Sequence, residues 1–153
     1  DLGLAKVGHN IINQPRELTR EDRLNVEQHT IIGTDMLKPI EFIPRVRDAV
    51  LYHHENYDGS GYPGKLSGEA IPLDARILRV ADTFRALVSR RPYQKQYSLG
   101  EAIEVLKHRS GSLFDPRVVD AFIASVQQNA GHFRAEREPF ESLREDHSAA
   151  LKA

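Results

Sequence analysis

The chain has 153 residues, 40% hydrophobic and 28% charged, which is enough for one globular domain with a buried core. Its net charge of −1 gives no strong field for a nucleic acid polymer or an anionic membrane, and no apolar run is long enough to span a bilayer. No signal peptide is visible, and the lack of cysteine excludes thiolate metal sites and disulfides, so we expect a cytoplasmic domain without membrane contact. Because the chain begins at Asp1 without an initiator methionine, we expect it to be a fragment of a longer protein.

The first predicted helix begins after Thr19, a typical N-cap residue, with Asp22 three residues later as in a capping box. We expect it to run to about Leu37, because Pro39 stops it. Four of its residues share one face at helical spacing, namely Val26, His29, Gly33 and Met36. His29 therefore points in the same direction as its apolar neighbours.

A second helix is predicted from about Pro44 and ends at two adjacent histidines, His53 and His54. One face of this helix carries Val46, Ala49, Val50 and His53, and His54 lies one step round. Residues 56–71 contain four glycines and one proline, which is typical of a loop, either ordered or mobile.

A third helix is predicted from Pro72, which suits a first helical turn. Its apolar stripe consists of Leu73, Ile77, Val80, Phe84 and Leu87, and the opposite side carries Ala75, Leu78 and Ala86 together with Asp82. We therefore expect a helix buried on two faces, in which the Asp82 carboxylate needs a partner.

Two further helices are predicted near the end of the chain. Ser98 and Glu101 form a capping box for the fourth helix, which Gly111 ends, and Asp115 caps a fifth helix that runs to about Gln128. No strand pattern is convincing, so the expected fold is an all-α bundle of about five helices. We assign residues 1–130 to this helical domain and residues 131–153 to a charged tail or peripheral helix.

Three histidines and one aspartate on these helices have apolar or small neighbours: His29, His53, His54 and Asp82. Three imidazoles and a carboxylate suit Fe, Mn, Zn or Ni rather than Mg or Ca. Two such cations about 3.5–4 Å apart can stabilise the attacking and leaving oxygens of a phosphoryl displacement, and Asp1 is a further carboxylate that could bridge them. Two alternatives stay open, because His29 alone could be a core histidine and Asp82 could pair with Arg79 or Arg85. The remaining histidines are interpreted as surface residues, namely His9, His108, His132 and His147.

A family resemblance rests on the segment 53–63, His-His-Glu-Asn-Tyr-Asp-Gly-Ser-Gly-Tyr-Pro. The motifs that follow it are Ile71-Pro72, Ala81-Asp82-x-Phe84, Arg91-Pro92-Tyr93 and Phe114-Asp115-Pro116. From Asp1 to about Ala124 the order and spacing resemble the HD-GYP family, a subgroup of the HD superfamily of metal-dependent phosphohydrolases. The resemblance implies an HD-domain-like helical bundle and hydrolysis of the bacterial messenger cyclic di-GMP to pGpG, GMP or both. It also implies two or three divalent metal ions, most often iron or manganese.

The resemblance also implies residue roles. The implied metal ligands are Asp1, His29, His53, His54 and Asp82, with Asp1 and Asp82 as catalytic residues. The implied substrate-binding residues are Gly61, Tyr62, Pro63, Arg91 and Lys95. In some members the Gly-Tyr-Pro loop is implicated in docking a GGDEF-domain diguanylate cyclase, which makes such a cyclase a possible partner. An upstream sensory or receiver domain is expected as well.

The chain departs from the family pattern at several places. The His of the His-Asp doublet would precede Asp1, and Leu4, Arg85 and Gln94 stand where the family usually has Lys, Asp and a basic residue. Loss of one charge-stabilising donor can lower a rate on the order of 10²–10³-fold. A degenerate module that binds cyclic di-GMP or docks a cyclase without hydrolysis is therefore the main alternative, and a phosphohydrolase of another phosphodiester is a third. We favour the enzyme, because the retained metal ligands outnumber the changed substrate residues.

Overall fold

The computed structural model describes residues 2–7, 16, 18–40, 44–89 and 96–129. These residues form seven α-helices, which are α1 (Leu4–Val7), α2 (Arg20–Glu27), α3 (His29–Met36), α4 (Pro44–Tyr52), α5 (Leu73–Val88), α6 (Leu99–His108) and α7 (Pro116–Gln128), and one 3₁₀ turn (Gly68–Ala70). No strand occurs among them, apart from an isolated bridge between Ser110 and Phe114. The predicted all-α class is confirmed.

The chain divides into two compact units, residues 1–119 and 120–153. In the first unit α3 packs on α4, α4 packs on α5, and α5 packs on α6, while α1 contacts α2 and α3. Side chains with almost no solvent exposure form its core: Ile71, Ala75, Val80, Ala102, Leu106, Phe114 and Val119. In the described part of the second unit, the C-terminal turns of α7 contain the buried residues Ile123 and Val126. The predicted domain boundary near residue 130 stays a prediction, because residues 130–153 lie outside the described part.

The first predicted helix is two helices, and this corrects the sequence interpretation. The capping box is present, with the Asp22 amide donating to the Thr19 hydroxyl, but α2 ends at Glu27 and α3 begins at His29. At the break, the Gln28 amide donates to the Asn25 and Val26 carbonyls, which tightens the turn. Of the residues predicted to share one face, His29 and Gly33 are buried, whereas Met36, the last residue of α3, is exposed.

Helix α5 has buried residues on both of the predicted sides, Val80 and Phe84 on the apolar stripe and Ala75 on the opposite side. Leu73 and Ile77 of the apolar stripe are nevertheless exposed, and so is Asp82 on the opposite side. Apolar residues occur on nearly every side of this helix, so periodicity alone could not identify the packed face. The prediction that Asp82 is buried and needs a partner is wrong for the same reason.

The loop from His53 to Pro72 is held by backbone hydrogen bonds. The Tyr57 and Asp58 amides donate to the Leu113 and Ser112 carbonyls at 3.2 and 2.8 Å, and the Gly68 amide donates back to the Tyr57 carbonyl at 2.8 Å. These bonds tie the loop to the segment between α6 and α7. The first of the two alternatives for this loop, an ordered segment, is therefore the correct one.

Candidate metal centre

Two buried histidines face each other where α3 packs on α4. His29 begins α3, and His53 directly follows the last residue of α4. The Nδ1 atom of each ring donates to a carbonyl oxygen three residues earlier, that of Val26 at 2.5 Å and that of Val50 at 2.7 Å. Because a carbonyl oxygen can only accept, Nδ1 carries the proton and Nε2 of the neutral ring carries the lone pair. Histidines that bind metal ions are commonly oriented by such a bond from the other ring nitrogen.

The Nε2 atoms of His29 and His53 lie 3.5 Å apart. Two lone pairs at this distance repel each other unless a proton or a cation lies between them. Imidazole nitrogens bind a metal ion at about 2.0–2.1 Å, so two of them at a tetrahedral angle are roughly 3.4 Å apart. His54 adds a third nitrogen, and one ring nitrogen from each histidine lies within 4.8 Å of the other two. The three side chains therefore fit a divalent transition-metal ion.

Burial keeps these histidines neutral. It lowers the pKa of His29 and of His53 below the usual 6.5, and it lowers the pKa of His54 to about 3, with the neighbouring His53 and Arg79 adding to the effect. The Asp82 carboxylate acts in the opposite direction on His29 and His53 but does not outweigh burial. Neutral imidazole is the form that binds a metal ion, so at pH 7 no proton has to be displaced first.

Tyr62 of the Gly-Tyr-Pro segment covers one side of this centre. Its ring stacks on the His54 ring, with centroids 4.9 Å apart and an interplanar angle of 21°, and meets the His29 ring edge-on at 6.4 Å. The Tyr62 amide donates to the His54 carbonyl at 3.3 Å. Burial raises the pKa of Tyr62 to about 12, so its phenol stays protonated at neutral pH. The structure thus brings Tyr62 into contact with two of the histidines.

Asp82 lies near the histidines but outside their tight cluster. It borders a cavity that His53 also lines, and it forms no ion pair or hydrogen bond with any described residue. The alternative that Asp82 pairs with Arg79 is wrong, because the Arg79 guanidinium binds Asn56, and Arg85 does not reach Asp82 within ion-pair distance either. Asp82 thus presents an unpaired carboxylate to the same cavity as His53.

Sequence reasoning considered Arg79 only as a partner of Asp82, whereas the structure places it half-buried beside the centre. Its Nε and Nη2 atoms donate to the Asn56 side-chain oxygen at 3.3 and 2.9 Å, and Asn56 donates to the Ser60 hydroxyl at 2.9 Å. The guanidinium also lies 5.8 Å from the centroid of the Phe114 ring. Its position three residues before Asp82, on the same side of a helix, was the available signal.

Sequence reasoning missed Glu55, which directly follows the histidine pair. It is 2% exposed, and its Oε1 atom accepts a hydrogen bond from the Gly64 amide, while Oε2 has no partner among the described residues. Its carboxylate therefore fixes the far end of the Gly-Tyr-Pro turn.

Some of the residues named from the sequence lie outside the part of the chain that the structure describes. Asp1, Arg91 and Lys95 lie outside the described residues, as does Gln94. Leu4 is half-buried in α1. His108 is exposed, as predicted, whereas the other three histidines interpreted as surface residues lie outside the described part: His9, His132 and His147.

Comparison with known proteins adds three similarities. The family model described as HD domain matches residues 1–118. The cyclic di-GMP phosphodiesterase response regulator RpfG of Xanthomonas campestris is 44% identical over 139 residues, covering 87% of this chain and 36% of that protein. The 3′3′-cGAMP-specific phosphodiesterase 1 of Vibrio cholerae is 33% identical over 129 residues, covering 84% of this chain and 30% of that protein.

A solved structure has the same fold. It is a cyclic GMP-AMP specific phosphodiesterase of V. cholerae, with a TM-score of 0.60 and 23% identity over 90% of this chain and 36% of that one. The chain thus spans about a third of the length of these proteins. In the part of the chain that the structure describes, we find no helix with the length and apolar character of a membrane span.

Proposed function

Because this chain belongs to the HD domain family and carries the HD-GYP signature, we propose that it hydrolyses cyclic di-GMP to pGpG, GMP or both in a metal-dependent reaction. The observation that carries the proposal is the approach of the His29 and His53 Nε2 atoms to 3.5 Å, with His54 beside them. Two lone pairs face to face repel each other unless a proton or a cation lies between them, and a metal ion would remove this repulsion. The relative RpfG is named a cyclic di-GMP phosphodiesterase, which supports the choice of substrate.

The proposed metal ligands are His29, His53, His54 and Asp82, with Asp1 as a bridging carboxylate. Two or three divalent ions, iron or manganese by preference, would neutralise phosphate charge and lower the pKa of a bound water to about 7. The chain's own contribution is to hold three neutral imidazoles in one orientation through the Val26 and Val50 carbonyls. Asp82, unpaired and bordering the cavity, is available both as a ligand and as a proton acceptor.

The proposed substrate-binding residues lie on two loops. Gly61, Tyr62 and Pro63 form the turn that covers His54, and the Tyr62 ring limits access of water to that side. Arg91 and Lys95 would supply positive charge to the phosphates, and a guanidinium can bind two phosphate oxygens at once. The same Gly-Tyr-Pro turn is where a GGDEF-domain cyclase would dock, and the cytoplasm is where we place the reaction, since the substrate is a bacterial second messenger.

The test uses the intact protein. Elemental analysis gives the bound metal, and chromatography gives pGpG and GMP formed from cyclic di-GMP. We expect His53→Ala to lose metal and to lower turnover at least roughly 100-fold. His108→Ala is the matched control, because His108 is exposed on α6, and it should change neither quantity. Circular dichroism of both variants verifies that they are folded.

A wild-type protein that holds iron or manganese and turns over no cyclic dinucleotide would overturn the proposal. Calorimetry would then decide for the alternative, a module that binds cyclic di-GMP or docks a cyclase without hydrolysis, if binding persists in His53→Ala. The changed residues that favour this alternative are Leu4, Arg85 and Gln94.

The cyclic dinucleotide cGAMP is a second candidate substrate, because one relative is named a 3′3′-cGAMP-specific phosphodiesterase. The ratio of kcat/KM for cyclic di-GMP and 3′3′-cGAMP separates the two. A higher value for 3′3′-cGAMP would replace the substrate but keep the metal centre and the reaction class.

A further inference from the structure

A cavity on the seam between α4 and α5 opens beside the metal centre. Its volume is about 270 Å³, and its walls are formed by Val50, His53, Leu78, Ala81, Asp82 and Arg85. This volume is below the roughly 300–1,000 Å³ of sites that enclose a whole drug-sized ligand, so the cavity suits part of a cyclic dinucleotide rather than all of it. Three apolar walls and three polar groups are the usual composition of a ligand site.

Arg85 is the arginine of α5 whose guanidinium has no partner among the described residues. The other two arginines of this helix are engaged, Arg76 by an ion pair with the buried Asp115 and Arg79 by two hydrogen bonds to Asn56. Arg85 is exposed, and no described carboxylate lies within ion-pair distance of it, including Asp82 one turn away on the same side. Its charge is therefore available to a ligand.

Arg85 lies one helical turn away from Asp82 and is not one of the groups proposed to act on the reacting phosphate. Three residues along an α-helix correspond to about 4.5 Å, so Arg85 lies one turn beyond Asp82, whose carboxylate acts on His29 and His53. A phosphate bound at the histidine Nε2 atoms would meet Asp82 first. Arg85 is placed for a second anionic group farther along the cavity.

The substrate class that offers such a group is a cyclic dinucleotide, which has two phosphodiesters in one ring. Placing it beside the unpaired Asp82 carboxylate brings like charges together, and a guanidinium in the same cavity offsets this repulsion. In α1 the half-buried Leu4 stands where the resemblance leads one to expect Lys, and Lys6 lies two residues further along. At residue 85, where the resemblance leads one to expect Asp, the chain has a positive charge that lines the same cavity as His53.

We propose that Arg85 binds the phosphate of the cyclic dinucleotide that is not being hydrolysed, in the cavity beside His53. The inference rests on the proposed function and names the residue that makes this chain's site fit a substrate with two phosphates. Arg85 does not act on the reacting phosphorus atom. Its role is to bind and orient the substrate, so it should affect KM far more than kcat.

The experiment compares two substrates in the intact, metal-loaded protein. Cyclic di-GMP has two phosphates, and bis(p-nitrophenyl) phosphate has one. We expect Arg85→Ala to raise KM for cyclic di-GMP roughly tenfold, the usual effect of losing one hydrogen bond to a charged group, with kcat nearly unchanged. Hydrolysis of bis(p-nitrophenyl) phosphate should stay at the wild-type rate.

Two further variants sharpen the comparison. Arg85→Lys keeps the charge but loses the planar fork, so its KM should lie between wild type and Arg85→Ala. Arg109→Ala is the matched control, because Arg109 is an exposed arginine at the end of α6, away from the cavity, and it should leave both substrates unaffected. The KM of the wild type should also rise more steeply with salt than that of Arg85→Ala.

An unchanged KM for cyclic di-GMP in Arg85→Ala overturns the inference. So does an equal loss for both substrates, because it would place Arg85 at the reacting phosphate. If the wild type hydrolyses neither cyclic dinucleotide, the proposed function fails, and binding of cyclic di-GMP measured by calorimetry still tests Arg85. Binding roughly tenfold weaker in Arg85→Ala then supports its role, and equal binding overturns it.

Discussion

Replacing Gly61 by alanine tests whether the Gly-Tyr-Pro turn builds the metal centre. A Cβ atom at residue 61 would lie 2.5 Å from the His54 carbonyl oxygen and still closer to the backbone of Glu55 and Asn56. All three neighbours are backbone atoms, so no side chain can rotate away to make room. Because carbon contacts are favourable at about 3.5–4.0 Å, the turn must move by roughly 1 Å.

This displacement acts directly on the ligands. The Tyr62 amide is bonded to the His54 carbonyl at 3.3 Å, and the Tyr62 ring stacks on the His54 ring at 4.9 Å. A shift of roughly 1 Å stretches the hydrogen bond beyond its normal range and can cost about 100-fold in rate when it misplaces a catalytic group. Overpacking of this kind also costs about 1–3 kcal/mol in the free energy of unfolding.

The assay measures bound metal, kcat for cyclic di-GMP and the unfolding free energy in urea of Gly61→Ala. Gly100→Ala is the matched control, because a Cβ at Gly100 meets no atom within 4 Å. In a helix this change should stabilise the protein by about 0.5–1 kcal/mol and leave metal and kcat as they are. If Gly61→Ala binds metal and turns over substrate like Gly100→Ala, the turn does not position His54, and the reasoning is refuted.

Three further predictions concern the same centre. Arg79→Lys keeps the charge but loses the two hydrogen bonds to Asn56, so the free energy of unfolding in urea should fall by about 1.5–3 kcal/mol. An unchanged free energy would show that these bonds contribute little to stability. Tyr62→Phe should keep the metal content because its ring still stacks on His54, whereas Tyr62→Leu should lower it. Metal titration measures both affinities, and equal values would show that the ring stack does not support metal binding. The metal-free protein should lose stability as the pH falls from about 6.5 towards 3. In this range the unfolded chain binds protons that buried His54 does not bind, because burial lowers its pKa to about 3, whereas above pH 6.5 the stability is fully present. Urea unfolding free energies that stay constant from pH 7 to 5 would contradict this prediction.

Local interactions were predictable from the sequence, and tertiary ones were not. The capping boxes at Thr19 and Ser98 involve residues three apart, so the pattern alone specified them, and the structure has both. The break at Gln28 could not be predicted, because the apolar spacing continues across it and Gln28 itself keeps right-handed helical dihedral angles. For the same reason the stripe on α5 was assigned to the core although Ile77 faces solvent.

The candidate site shows the same division. Residue type and the adjacent pair made His53 and His54 metal-ligand candidates, but 24 residues separate His29 from His53 and only the packing of α3 on α4 brings their Nε2 atoms together. Close packing near this point depends on Gly3, where a Cβ atom would overlap the His29 carbonyl. Arg79 was considered only as a partner of Asp82, because its actual partner Asn56 belongs to a loop 23 residues away.

The orientation of the three imidazoles depends on backbone atoms more than on side chains. Carbonyls of α2 and α4 fix His29 and His53, and the Gly-Tyr-Pro turn lies directly on the backbone that carries His54. A backbone-held site tolerates changes in the residues around it, as long as the glycine and the turn geometry persist. Substitutions such as Arg85 can therefore alter which phosphates the cavity binds without disturbing the histidines, since no described contact links the Arg85 guanidinium to them. Metal binding and substrate preference are therefore separable in this domain, and a variant at Arg85 should change substrate binding without changing the metal content.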